Sequence, residues 1–158
     1  ARTMEPRAST PVRRLETMRS LSDAGIPVNV MASPVIPGLN DHEMERILDS
    51  AKAAGASSAS YILLRLPLEV SPLFRDWLLR HYPDRYRHVM SLVRSMRGGK
   101  DYDADFSKRM KGQGPYAWQL ARRFEITTKK LGLDKRGAPL RTDLFTPPMG
   151  MGVQLNLL

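Results

Sequence analysis

The chain has 158 residues, 42% of them hydrophobic, enough for one globular core or one half of a larger one. Cysteine is absent, which excludes disulfides, thiolate metal ligands and a cysteine nucleophile within this span. Lysine and arginine number 25 against 16 acids, a net charge of +9 that attracts polyanions at long range. No run approaches the roughly 18 apolar residues of a membrane helix, and the first residues lack a signal-peptide core, so a cytoplasmic location without membrane contact is the default expectation.

Thr10 before Pro11 reads as a helix cap and first turn, with Leu15, Met18, Leu21 and Ser22 on one mostly apolar face and Gly25 as the stop. The run Val28-Asn29-Val30-Met31-Ala32, bounded by Pro27 and Pro34, is short and apolar and predicts a buried strand. A rigid Pro37-Gly38 loop follows, then Asn40 and Glu43 in capping-box spacing, with Leu39 and Met44 placed for a hydrophobic staple. That helix runs through Ile47, Leu48 and Ala51 to Gly55. A second strand is predicted over 59–66, centred on Tyr61-Ile62-Leu63-Leu64 and stopped by Pro67.

Two apolar strands separated by a helix predict a β-α-β unit in a parallel sheet. Such a sheet needs more strands, so its missing neighbours are expected from upstream residues of a longer protein or from an exchanged chain, including a second copy. After Pro67 the pattern turns helical. Helices are predicted from Ser71-Pro72 through Phe74, Trp77, Leu78 and His81, over 84–97 through Tyr86, Val89, Met90 and Val93, briefly over 103–110, and over 115–131, the last burying Trp118, Leu120, Ala121 and Phe124. Residues from Gly132 onward read as an extended tail, whose final 153–158 is either an edge strand or unstructured. The expected divisions are 1–67, 68–131 and 132–158.

In parallel α/β folds ligands gather beyond the C-terminal ends of the strands. Ser33 and Asn40 lie there for the first strand, where a rigid turn without a ligand is the alternative. Arg65 lies there for the second, directed either into a polar pocket or along the sheet rim. Glu5 and Arg7 flank Pro6, as ligand contacts or as ordinary surface charge. Arg97 and Lys100 beside Gly98-Gly99, with Lys108, Arg109 and Lys111, are candidate phosphate or nucleic-acid contacts, with Tyr102, Tyr116 or Trp118 to stack bases. The Gly-Gly turn lacks the spacing of a nucleotide loop, so a capped helix end is the alternative. His42, His81 and His88 do not form a metal set, Asp101, Asp103 and Asp105 read as solvated surface without calcium-loop spacing, and no catalytic triad-like combination can be named.

With these residues in view, the chain resembles the C-terminal half of a radical S-adenosylmethionine protein, of the group related to spore photoproduct lyase and often labelled DNA repair photolyase. The matching blocks are Glu5-Pro6-Arg7-Ala8-Ser9-Thr10-Pro11 with Arg13-Arg14-Leu15-Glu16, then Ala24-Gly25-Ile26-Pro27-Val28 and Pro34-Val35-Ile36-Pro37-Gly38-Leu39-Asn40-Asp41. Tyr61-Ile62-Leu63-Leu64-Arg65-Leu66-Pro67 and Ser95-Met96-Arg97-Gly98-Gly99-Lys100 extend the likeness.

The resemblance implies an α/β chain that is the C-terminal fragment of a partial (β/α)6 TIM-like barrel plus a helical C-terminal extension. It implies an upstream half whose CxxxCxxC loop holds a 4Fe-4S cluster, S-adenosylmethionine as cofactor, and hydrogen abstraction from a substrate, nucleic acid among the candidates. Ser33, Asn40 and Arg65 would then lie near cofactor or substrate at the barrel mouth, with Glu5 and Arg7 on the same rim. This chain alone, without the cysteine loop, is expected to bind neither cofactor and to be inactive. The competing expectation is a basic nucleic-acid or phosphate-binding module without chemistry, using Arg97, Lys100, Lys108, Arg109 and Lys111. A structural remnant is the third.

Overall fold

A computed structural model describes residues 3–135 and 142–146. The elements follow in the order α1 (Pro11–Asp23), β1 (Asn29–Val35), a 3-10 turn (Asp41–Glu43), α2 (Met44–Ala53), β2 (Ser58–Leu63), α3 (Val70–His81), a second 3-10 turn (Pro83–Arg85), α4 (Tyr86–Ser95) and α5 (Pro115–Leu131). Residues 153–158, read as either an edge strand or unstructured, lie outside the described residues.

α1 begins as its sequence dictates, Thr10 Oγ1 accepting the Arg13 N–H at 3.3 Å ahead of Pro11. It has no buried residue and meets the body mainly along α2. At the junction Gly55 has φ +93°, and an added Cβ would collide with the Ser22 side chain of α1, so only glycine lets the two helices close.

β1 and β2 pair in parallel, from Asn29 opposite Ser58 to Val35 opposite Leu63, with an irregularity between Ala32 and Val35 where Pro34 enters the strand. Among the described residues the sheet is open and has these two strands only. This corrects the barrel expectation: two strands in one open sheet close no (β/α)6 barrel, and the resemblance does not carry over to the architecture. What stands is a small α/β fold.

The outer edge of β2 is partly covered, because the Ala59 and Leu63 N–H groups donate to Leu133 O and Met110 O at 3.1 and 2.9 Å. Side chains alternate along the strands. Val30, Ala32, Ala59, Tyr61 and Leu63 face α2 and α5, whereas Met31 and Ser33 on β1 are exposed.

Among the described residues three apolar clusters form the interior. One joins Ile36, Leu64 and Leu66 to Phe74, Leu78, Val89, Met90 and Val93 of α3 and α4. The second sets Ala32, Val35, Tyr61 and Leu63 on Met96, Ala117 and Leu120, and the third packs Met44, Leu48, Ala51 and Ala56 on Leu133. Each cluster draws residues from both sides of Pro67. Burying each of these leucines contributes roughly 1.5–3 kcal/mol.

Two local expectations fail for identifiable reasons. Asn40 makes no capping bond; its Oδ1 accepts the Ile36 N–H at 2.6 Å and its Nδ2 donates to Pro34 O at 3.1 Å, closing the β1–α2 loop. Leu39 and Met44 accordingly join different clusters rather than a staple. Residues 103–110 form turns, not a helix. Asp103 Oδ1 accepts the Asp105 N–H and Asp105 Oδ1 accepts the Ser107 N–H, at 3.0 and 2.9 Å, and such side-chain bonds two residues ahead compete with a helical ladder.

Candidate polyanion interface

The loop between α4 and α5 folds back against the C-terminal end of β2. Arg97 is the clamp. Only 2% of it is exposed, and its Nη1 and Nη2 donate to Lys108 O and Leu64 O at 2.9 and 3.0 Å. Expected as a phosphate contact, Arg97 is instead an interior strut between the strand and the loop. Gly112, at φ +67°, lets the loop turn there with Met96 and Leu63 packed against it.

Arg65 is brought to the same place, against Tyr102 and Met110 of the loop. It is half-buried; Nη2 bonds Tyr102 OH at 3.2 Å, Nη1 points at Met110 Sδ at 3.8 Å, and Nε is buried without an acceptor. Arg109, one residue from Met110, also buries an Nε without an acceptor, and its guanidinium lies 4.3 Å from the centroid of the Phe106 ring, itself 78% exposed. Lys111 Nζ sits 5.5 Å from the Tyr61 ring centroid, and Lys100 projects exposed. Lys108 differs, because its ammonium is paired with Asp105 at 3.0 Å, which raises the lysine pKa, while the hydrogen bonds from Ser107 and then the Lys108 pair hold the Asp105 carboxyl down at about 2.

Asp101 is not the solvated acid expected. It accepts hydrogen bonds from Arg94 Nε at 2.7 Å and Ser71 Oγ at 2.9 Å, with Arg75 at 3.6 Å, and so ties α3 and α4 to the loop. Trp118, expected in the core, is 66% exposed on α5 one helical turn beyond the loop.

The remaining candidates lie elsewhere. Glu5 and Ser33 meet in a cleft of about 420 Å³ between α1, β1 and α2, where Glu5 faces Arg14 at 3.7 Å. Asn40 lines a second cleft of about 440 Å³ with Trp77 and Arg85, its amide spent on the loop backbone. Arg7 is exposed on the N-terminal segment. The structure therefore gathers Arg65 with Arg97 and the 100–111 cations, and leaves Glu5, Arg7, Ser33 and Asn40 away from them.

A polar cluster that sequence spacing could not reveal fixes α5. Arg123 forms a two-pronged pair with Glu45, at 2.7 and 2.8 Å, and donates to Asp41 O at 2.9 Å, while Tyr116 OH donates to the buried Asp41 carboxylate at 2.6 Å. Burial and the Asp41 carboxylate push the Tyr116 phenol up to about 12. The Arg123 hydrogen bond holds the Glu45 carboxyl below its ordinary 4.5. At Asp101 burial opposes ionisation, but the bonds from Arg94 and Ser71 and the charge of Arg75 outweigh it and leave the pKa below 3.8.

Both folded carboxyls thus titrate below their unfolded values, so their contribution is complete above about pH 4.5 and disappears as pH falls through the folded pKa values. Urea midpoints are expected to stay level between pH 7 and 5 and to drop below pH 4. Arg123→Ala should lower the plateau and shrink the drop; an unchanged acid limb would remove Glu45 as its source.

Within this chain no residues are placed to hold an iron–sulfur cluster. The chain contains no cysteine, and among the described residues no group of three His, Cys, Asp or Glu side chains is placed to hold a metal. No helix among them is long and apolar enough to cross a membrane.

No family model matches the chain, and no solved structure matches it. It is similar to uncharacterized proteins of Mycobacterium bovis and Mycobacterium tuberculosis, 32% identical over 93 residues. The match covers 56% of this chain and 27% of each relative, so the chain spans about a quarter of the length of the curated relatives it matches.

Proposed function

We propose that this chain is a polyanion-binding module that holds single-stranded nucleic acid on the 97–111 loop, without chemistry of its own. The supporting observation is the Arg109 guanidinium stacked 4.3 Å from an exposed Phe106 ring, on a loop that also carries the exposed Lys100 and Lys111. An exposed aromatic ring backed by a cation offers a base its stacking face and a phosphate its counter-charge at one point. Trp118 supplies a second exposed ring close by in the chain.

The test is fluorescence anisotropy with a labelled oligo-dT and a duplex of equal length. Neutralising four phosphates of a single strand predicts about a 50-fold loss of affinity between 50 and 200 mM salt. Phe106→Ala should weaken binding by roughly 5- to 100-fold with little change in salt slope, whereas Lys111→Ala should flatten the slope. Absence of binding at 20 mM salt, or tighter binding of the duplex, would refute the reading.

For a longer protein carrying this stretch, membership of the radical S-adenosylmethionine group is a separate proposal, supported by the sequence blocks alone. An upstream three-cysteine loop with about four irons per chain after anaerobic purification would support it, and a parent protein without either would remove it.

A further inference from the structure

Cysteine is absent from the chain, so reversible oxidation at sulfur falls to its nine methionines. They sit in different surroundings. Met44, Met90 and Met96 are buried in the apolar clusters, where a sulfoxide would be a polar group without a partner. Met31 is exposed on β1 and any oxygen added there meets water. Met110 differs from both. It is half-buried on the loop, and its Sδ lies 3.8 Å from Arg65 Nη1. Among the described residues no other methionine sulfur has a hydrogen-bond donor against it.

Both members of this pair are held in place. Met110 O accepts the Leu63 N–H at 2.9 Å, which pins the loop backbone to the outer edge of β2. Arg65 follows the same strand, with Nη2 on Tyr102 OH at 3.2 Å and Nε buried without an acceptor. A thioether is a weak acceptor, so the guanidinium N–H facing the sulfur is poorly answered. An oxygen on that sulfur would answer it.

We propose that Met110 is a site of reversible oxidation by peroxide, whose sulfoxide oxygen is held by Arg65. A lone pair of Sδ attacks one oxygen of hydrogen peroxide, an S–O bond forms as the O–O bond breaks, and the second oxygen leaves as water with both protons. The sulfur loses two electrons and the peroxide gains them. A methionine sulfoxide reductase, drawing two electrons from a dithiol, restores the thioether and releases the oxygen as water. Elsewhere in an interior such oxidation loosens packing. Here the unbranched side chain can turn its new oxygen onto Nη1, and the weak contact becomes a charge-assisted hydrogen bond. Oxidation therefore tightens the loop on β2. The modification stands independently of nucleic-acid binding by the same loop.

The probe is dilute hydrogen peroxide, applied to the full chain and to a Met110→Leu variant so that oxidation of the other methionines cancels. Mass spectrometry of the chymotryptic peptide from Ser107 to Tyr116 locates the added oxygen. On oxidation of the parent, the Leu63 amide is expected to exchange about tenfold more slowly, and to regain its starting rate after sulfoxide reductase. Met110→Leu should show no such slowing. In Arg65→Leu, which removes the donor, oxidation should speed the exchange. Met110→Gln leaves Arg65 in place and puts an amide oxygen where the sulfoxide oxygen would be, so slow exchange without peroxide is expected there even if Arg65→Leu folds poorly. A Met110 that stays a thioether while Met31 is fully oxidised overturns the site. So does unchanged or faster Leu63 exchange in the oxidised parent, or equal slowing in Met110→Leu.

Discussion

Replacing Arg97 with methionine is expected to destabilise the protein by about 2–4 kcal/mol and to release the loop from the strand. Methionine fills much of the same volume and removes a charge that burial disfavours, which by itself is favourable. The acceptors, however, are backbone carbonyls that no substitution can remove. Leu64 O and Lys108 O would lose their guanidinium donors inside the protein. That loss outweighs the relief of the charge, because an interaction is being broken on one side only. Urea denaturation measures the first effect. Amide exchange measures the second: Leu63 N–H, bonded to Met110 O, should exchange far faster while amides in the middle of α2 keep their relative protection. A variant as stable as the parent would show that the Arg97 bonds contribute nothing net.

Leu78→Ala is expected to have the largest effect, about 3–5 kcal/mol. Leu78 is completely buried on α3 in the cluster that joins α3 and α4 to Ile36, Leu64 and Leu66. Truncation leaves a void bordered by both helices and by the chain just beyond β2, and rigid elements on several sides limit its collapse. Trp77 reports the damage, since its ring stacks 5.8 Å from Phe74 and its Nε1 donates to Thr3 O at 3.1 Å. In a Trp118→Phe background, the variant should show a red-shifted Trp77 emission at lower urea than the parent. Exposed Leu73, on the same helix, is the control, and its alanine variant should differ little.

Local grammar in the sequence located most of these elements. Thr10-Pro11 and Gly25 bracket α1, Pro115 opens α5, and the apolar runs around Val30 and Ile62 mark two strands that pair in parallel. The failures share one cause, competition from groups distant in the chain or from a side chain with a second use. The helix expected from Ser71-Pro72 is present as α3, its Ser71 hydroxyl spent on Asp101, thirty residues on. Asn40 has the right spacing for a capping box and instead turns back to Ile36 and Pro34.

The site was half legible. Arg65 at a strand end and the cations near Gly98-Gly99 stood out from the sequence, but that they meet depends on a loop folding over β2, which periodicity does not encode. For the same reason Arg97 read as a surface cation and Trp118 as core. Phe106 had no signal beyond being an aromatic residue among charges, and the Asp41–Tyr116 and Glu45–Arg123 partners are 75 and 78 residues apart.

The free side of β1 has a further consequence, for self-templated growth of the sheet. Among the described residues no strand pairs with the other edge of β1, and an edge strand that carries Val and Met but no lysine or arginine invites other copies to add by backbone pairing. Pro34 is the built-in brake. It offers no N–H to any neighbour, and the irregularity around it breaks a straight run of donors and acceptors before the strand ends. Restoring an N–H at this position would lengthen the adhesive stretch, so a Pro34→Val chain should nucleate fibrils at protein concentrations where the parent stays clear.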